Sequence, residues 1–215
     1  METEIKFGVE EDSLFQLLNP NVCEYQAPGE PFTLEETNET GKAVIRIVSA
    51  YPCFVIRCLD EKAHIRTLPF FNPGRERVRK CADHLAFLFD RDSREWTLHV
   101  FELKRSPNEK IWKRICAQFN GAMVRAYAIA GALRIPEFAG VYLHCGYRKD
   151  MSSLSNVMQI DEEGSQREPS PESVLNREIT LVSYPKLVTE NQPIKLDDFT
   201  GQAEIRLHKN GCTIL

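Results

Sequence analysis

Trp96-Thr-Leu-His-Val-Phe-Glu-Leu-Lys104 decides the fold. Apolar side chains occupy both parities of this stretch: Trp96, Leu98 and Val100 on one, Phe101 and Leu103 on the other. A strand that is apolar on both faces is buried on both, which places it in the middle of a sheet. It ends in Phe101-Glu102-Leu103-Lys104, and the period of two sets Glu102 and Lys104 on one face with Leu103 on the opposite one. A carboxylate and an ammonium at the end of a buried strand are costly unless something uses them.

Upstream, Asp83-His-Leu-Ala-Phe-Leu-Phe89 reads as a strand and Asp90-Arg-Asp-Ser-Arg-Glu95 as a polar hairpin loop. Antiparallel pairing of the two strands would bring Asp83 beside Glu102 and Lys104. Two converging carboxylates suit Mg²⁺ or Mn²⁺, and a neighbouring lysine can orient a water or help deprotonate it. Asp90 and Asp92 are rival carboxylates at the far end of the sheet. Downstream, Ser106-Pro-Asn-Glu109 is a capping box with proline at the first helical position. The helix it opens is predicted over 107–133, stopping before Pro136. Gly140-Val-Tyr-Leu-His-Cys145 then reads as another strand. Gln118 lies on the helix stripe Ile111, Ile115, Ala122, Ala126, Ile129, Leu133, so it either serves a site or hydrogen-bonds within the core.

The flanks are less regular. Residues 10–18 predict a short amphipathic helix, and 19–41, rich in Pro, Gly, Asn, Thr and Glu, a loop. Residues 43–48 and 53–59 are β-branched, and Tyr51-Pro52 between them suggests a hairpin. Residues 63–71 form a weaker strand candidate, and 75–80 a basic turn or short helix. The resulting division is an acidic N-terminal segment (1–42), a core (43–148), a linker or long loop (149–178) and C-terminal strands packing on the core (179–215).

The chain has 215 residues, 42% hydrophobic and 27% charged, which is the balance of an ordinary soluble globular protein. No apolar run approaches the ~18 residues of a membrane span, and the first residues lack the features of a secretory signal. Seven cysteines without a Cys-x-x-Cys argue against a disulfide scaffold or zinc ribbon and for reduced thiols, hence a cytoplasmic protein with no membrane partner. Residues 41–149 carry twenty Lys/Arg against ten Asp/Glu, whereas 1–40 carry one lysine against ten acidic groups. A basic centre suits a polyanion, with a merely solvated charged surface as the equal alternative. Arg105, Lys110, Lys113, Arg114 and Arg125 flank the central strand end and are the candidate phosphate contacts. His84, His99 and His144 lack metal-ligand spacing and read as structural; Trp96 and Trp112 read as core. No P-loop, Gly-x-Gly-x-x-Gly or Gly-x-Ser-x-Gly is present.

Asp83, then Glu102-Leu103-Lys104, then a helix bearing Gln118, resembles the PD-(D/E)xK nuclease superfamily over about residues 63–147. Gln118 is similar to the glutamine that follows this motif in RecB-like members, and Ala82 stands where proline often precedes the aspartate. The resemblance implies an α/β, restriction-endonuclease-like core: a central mixed β-sheet flanked by helices, with irregular N- and C-terminal extensions. It implies a Mg²⁺- or Mn²⁺-dependent nuclease hydrolysing phosphodiester bonds of nucleic acid, DNA rather than RNA. Asp83, Glu102, Lys104 and Gln118 would be catalytic, and Asp83, Glu102 and the Leu103 carbonyl would hold the metal. Many members add a carboxylate from an N-terminal helix; Glu10, Glu11 and Glu76 compete for that role. The alternative is a non-catalytic, nuclease-like subunit that binds nucleic acid or assembles with a protein partner or a second copy. The acidic start resembles a phosphate-mimicking tail and is expected to autoinhibit.

Overall fold

A computed structural model describes residues 18–38, 41–57, 80–104, 109–148, 179 and 188–215. The hairpin around the deciding stretch is formed by β5 (His84–Asp90) and β6 (Glu95–Lys104), antiparallel, with His84 opposite Phe101. Helix α1 (Glu109–Ala132) then crosses over to β7 (Phe138–Tyr147), which lies parallel to β6 with Tyr147 opposite Lys104. Parallel neighbours need such a crossover, and the amphipathic helix α1 supplies it.

Before this unit come β1 (Cys23–Gln26), β2 (Pro31–Asn38), β3 (Gly41–Ser49) and β4 (Cys53–Ile56). After it come β8 (Glu190–Asn191), β9 (Ile194–Lys195), β10 (Gln202–His208) and β11 (Gly211–Ile214). A mixed seven-stranded sheet runs β1-β4-β5-β6-β7-β8, with β9 also on β7; a four-stranded sheet runs β11-β10-β3-β2. The strand parity of β5 and β6 decides what covers each face. Leu85, Phe87, Leu98 and Val100 pack with Trp112, Ile115, Phe119 and Met123 of α1. Ala86, Leu88, Phe101 and Leu103 pack with Phe32, Leu34, Ile45, Ile47, Ile205 and Leu207 of the smaller sheet. Both faces of β6 are therefore buried, as its composition required.

The expected sheet flanked by helices takes a different form here. Among the described residues one helix covers one face of the large sheet, and a second sheet covers the other. Residues 19–41 form β1 and β2 rather than loop, because Phe32 and Leu34 alternate with exposed Thr33 and Glu35. Residues 43–48 and 53–59 make no hairpin: β3 pairs with β2 and β10, and β4 with β1 and β5. The Ser49–Tyr51 turn, held by Ser49 Oγ donating to the Tyr51 carbonyl at 2.7 Å, carries the chain from one sheet to the other. Apart from their end residues Leu18, Lys80 and Ile179, the expected helix at 10–18, the elements at 63–71 and 75–80, the linker and the first part of the C-terminal segment, 179–187, lie outside the described residues. Among the described residues no helix is long and apolar enough to cross a membrane.

Candidate active site

Asp83 immediately precedes β5, and the hairpin register places it opposite Glu102. Its Oδ2 accepts a hydrogen bond from the Leu103 backbone N–H at 2.7 Å. A side chain thus continues the ladder past the strand end and pins one carboxylate to the Glu-Leu-Lys segment. Lys104 Nζ forms an ion pair with Glu102 Oε1 and donates to the Leu103 carbonyl at 2.9 Å. The Glu102 side chain is wholly buried, whereas that of Lys104 is 16% exposed and so opens the site to solvent. Glu102 Oε2 is buried with no hydrogen-bond partner.

Burial, then the charge of Asp83, holds the Glu102 carboxyl well above the usual carboxylate range, and Lys104 only partly offsets this. Burial acts against the Lys104 ammonium, but the carboxylates of Glu102, Asp83 and Glu36 prevail and keep its pKa above the ordinary lysine value. Lys104 therefore stays charged at neutral pH. Glu36 belongs to β2 and was not anticipated as a neighbour of this site. The alternation Phe32, Leu34, Glu36 was the available signal, since it assigns Glu36 to the inward parity.

The donor set fits a hard divalent cation. The Glu102 carboxylate and the Leu103 carbonyl converge on the Lys104 ammonium, the Asp83 carboxylate sits on the adjoining Leu103 N–H, and Glu102 keeps an unpartnered oxygen. Among the described residues no three His, Cys, Asp or Glu side chains gather to hold a metal on their own, so further ligands would be water or substrate oxygens.

Gln118 is buried on α1; its Nε2 donates to the Cys81 carbonyl at 3.2 Å, and its backbone carbonyl accepts from Ala82 N–H at 3.1 Å. It braces the segment leading into Asp83 and makes no hydrogen bond to the three charged side chains. Arg125, expected on a phosphate-binding face, is only 4% exposed and lies inside the helix–sheet layer beside Cys81. The Cys81 thiol is pushed up to about 12 by burial, against the pull of Arg125. Lys113 and Arg114 are exposed on the outer face of α1. Arg105, the Lys110 side chain, Glu10, Glu11 and Glu76 lie outside the described residues. Asp90 sits at the opposite end of β5, bonded to Lys209, and Asp92 on the exposed hairpin turn.

The histidines lie between the sheets. His99 Nδ1 and His144 Nε2 are 2.9 Å apart with their rings stacked, and His144 Nδ1 faces the Gln192 carbonyl at 3.2 Å and Cys212 Sγ at 3.7 Å. Burial, reinforced for His99 by His144, depresses both: His144 to about 4 and His99 well below the usual histidine value. They are neutral and hydrogen-bonded in the core. Trp96 and Trp112 are likewise buried. No protein-family model, curated protein or solved structure matches the chain.

Proposed function

We propose that the chain is a metal-dependent nuclease hydrolysing phosphodiester bonds, built on a restriction-endonuclease-like arrangement of β5, β6, α1 and β7. One observation carries the reading: Asp83, Glu102 and Lys104 meet at the end of two central strands, with Glu102 wholly buried and one of its oxygens unpartnered. Such clustering destabilises the fold and finds its compensation in chemistry. Asp83, Glu102 and the Leu103 carbonyl would hold Mg²⁺ or Mn²⁺, which when bound stabilises negative charge developing on the phosphoryl oxygens. Lys104, fixed as an ammonium, orients the attacking water and offsets anionic charge; it is not the base. Asp83 keeps the Glu-Leu-Lys backbone in register through Leu103 N–H, and Gln118 keeps Asp83 in place through the Cys81 carbonyl. Exposed Lys113 and Arg114 are available to the phosphate backbone, with DNA as the preferred polymer.

The test is a cleavage panel of linear and circular duplex DNA, single-stranded DNA and RNA, with EDTA, Mg²⁺ or Mn²⁺. Metal-dependent cutting that is lost in both Lys104→Ala and Asp83→Asn is expected. Salt-sensitive binding with no cutting under any metal would replace this reading with a non-catalytic nucleic-acid-binding subunit.

A further inference from the structure

Phe199 is 94% exposed, yet the turn that carries it is tightly braced. Asp197 Oδ1 accepts from Phe199 N–H at 3.0 Å, Thr200 N–H at 2.7 Å and Thr200 Oγ1 at 2.9 Å. Arg148 Nη2 donates to the carbonyls of Asp198 at 2.6 Å and Phe199 at 3.2 Å. Gly201, at φ 69°, closes the turn against β3, where a Cβ would come 2.6 Å from the Lys42 carbonyl. A benzyl group fixed in water forgoes its hydrophobic stabilisation, whereas a preformed turn loses little entropy when it binds.

The turn lies at the same sheet edge as the candidate active site. Lys104 is opposite Tyr147, Tyr147 is opposite Lys195, and all three strands are parallel. Two interstrand spacings, about 10 Å, therefore separate Lys104 from Lys195, and Phe199 follows four residues later. Arg148 extends from the end of β7, and Lys195 is half exposed, 3.9 Å from Asp198. Of the ring's immediate neighbours in the chain, Thr200 is uncharged and Asp198 is a carboxylate whose charge Lys195 offsets. One open aromatic face with cations beside it matches the two needs of a single strand, a stacking surface and a grip on phosphate. In a duplex the bases stack on each other and offer no free face.

Resting on the nuclease reading, we propose that Phe199 is a stacking platform for an unpaired nucleobase, one or two nucleotides from the phosphate at Lys104. It directs the site to single-stranded nucleic acid.

The test uses the full chain in EDTA with fluorescein-labelled 12-nucleotide single-stranded DNA and the matching duplex, read by anisotropy. Phe199→Ala should weaken single-strand binding about tenfold and leave duplex binding unchanged, while Phe199→Trp retains both. With 2-aminopurine placed in turn along the strand, one position should be quenched by the wild-type chain and not by Phe199→Ala. Unchanged single-strand binding by Phe199→Ala, or an equal loss on duplex, overturns the platform. If the wild-type chain still cuts with metal, the nuclease reading survives that result. If the wild-type chain neither binds nor cuts any nucleic acid, both fall together.

Discussion

At the scale of residues, the Glu102–Lys104 pair makes stability depend on pH in a way that identifies it. The folded-state pKa of Glu102 is raised, so its favourable contribution is present at low pH and is lost as pH rises through that value. Lys104 is also raised and stabilises at every pH below the ordinary lysine range. Lys104→Ala strands a buried carboxylate, so about 3 kcal/mol of stability should be lost at pH 8. The deficit should shrink as pH falls, because Glu102 then takes a proton instead; a deficit independent of pH in urea titrations would contradict the pairing. The buried histidines give the opposite slope. His84, chiefly through burial, and His144 are pushed down to about 4. The unfolded chain therefore binds protons from about pH 6.5 downwards while the native state does not. Stability is whole above that range and falls by about 1.4 kcal/mol per pH unit per histidine towards pH 4. His144→Gln should flatten this slope in the same titrations whatever it does to the absolute stability. Asp83, Glu102 and Lys104 were legible together because strand parity and hairpin pairing are both local rules. Glu36 was not, because only packing between the sheets brings β2 to that edge, and Arg125 was misplaced because a buried guanidinium violates the usual polarity of a helix face.

Among the elements, two glycines mark where strands and turns are pressed closest. Gly146 of β7 lies opposite Leu103, and a Cβ there would come 2.7 Å from Leu103 Cδ2 and 3.2 Å from Ile45 Cδ1. Gly146→Ala should cost roughly 1–3 kcal/mol by overpacking and shift the backbone between Glu102 and Lys104. The expected signature is a lowered thermal midpoint together with weaker Mn²⁺ binding in calorimetry, whereas a change confined to the midpoint would confine Gly146 to packing. The unit β5, β6, α1, β7 could be read from sequence because each element announces itself: two-sided apolar strands, a polar hairpin loop and a capping box. The β2 strand was obscured by its turn-forming residues, and the apparent hairpin at 43–59 misled because neighbouring strands in the chain usually pair. Here Cys53 and Val55 face the small sheet while Phe54 and Ile56 face the helix side, so β4 is needed inside the large sheet.

On the scale of the whole molecule, the contrast between a basic centre and an acidic start becomes an experiment once β1 and β2 are seen as structural. Removing residues 1–40 would delete a strand from each sheet, so the informative truncation is 1–17. It should raise affinity for nucleic acid at low salt, and the gain should vanish near 0.5 M salt, where screening is nearly complete over a few ångströms. Unchanged low-salt affinity would exclude an autoinhibitory start. The strand–strand–helix–strand order foretold an α/β core but not the covering sheet, whose pairings span most of the chain. The pairing of β3 with β10 has a consequence for biosynthesis. Val44 lies beside Gln202 in a parallel ladder, so one edge of an early strand waits for some 150 further residues to be translated. At ribosomal speeds of roughly 5–20 residues per second, that edge stays open for many seconds. During that interval the nascent chain is an open template for strand addition, and a premature stop before residue 202 would leave it permanently adhesive. Chaperone demand should therefore peak late in synthesis and end abruptly once β10 emerges.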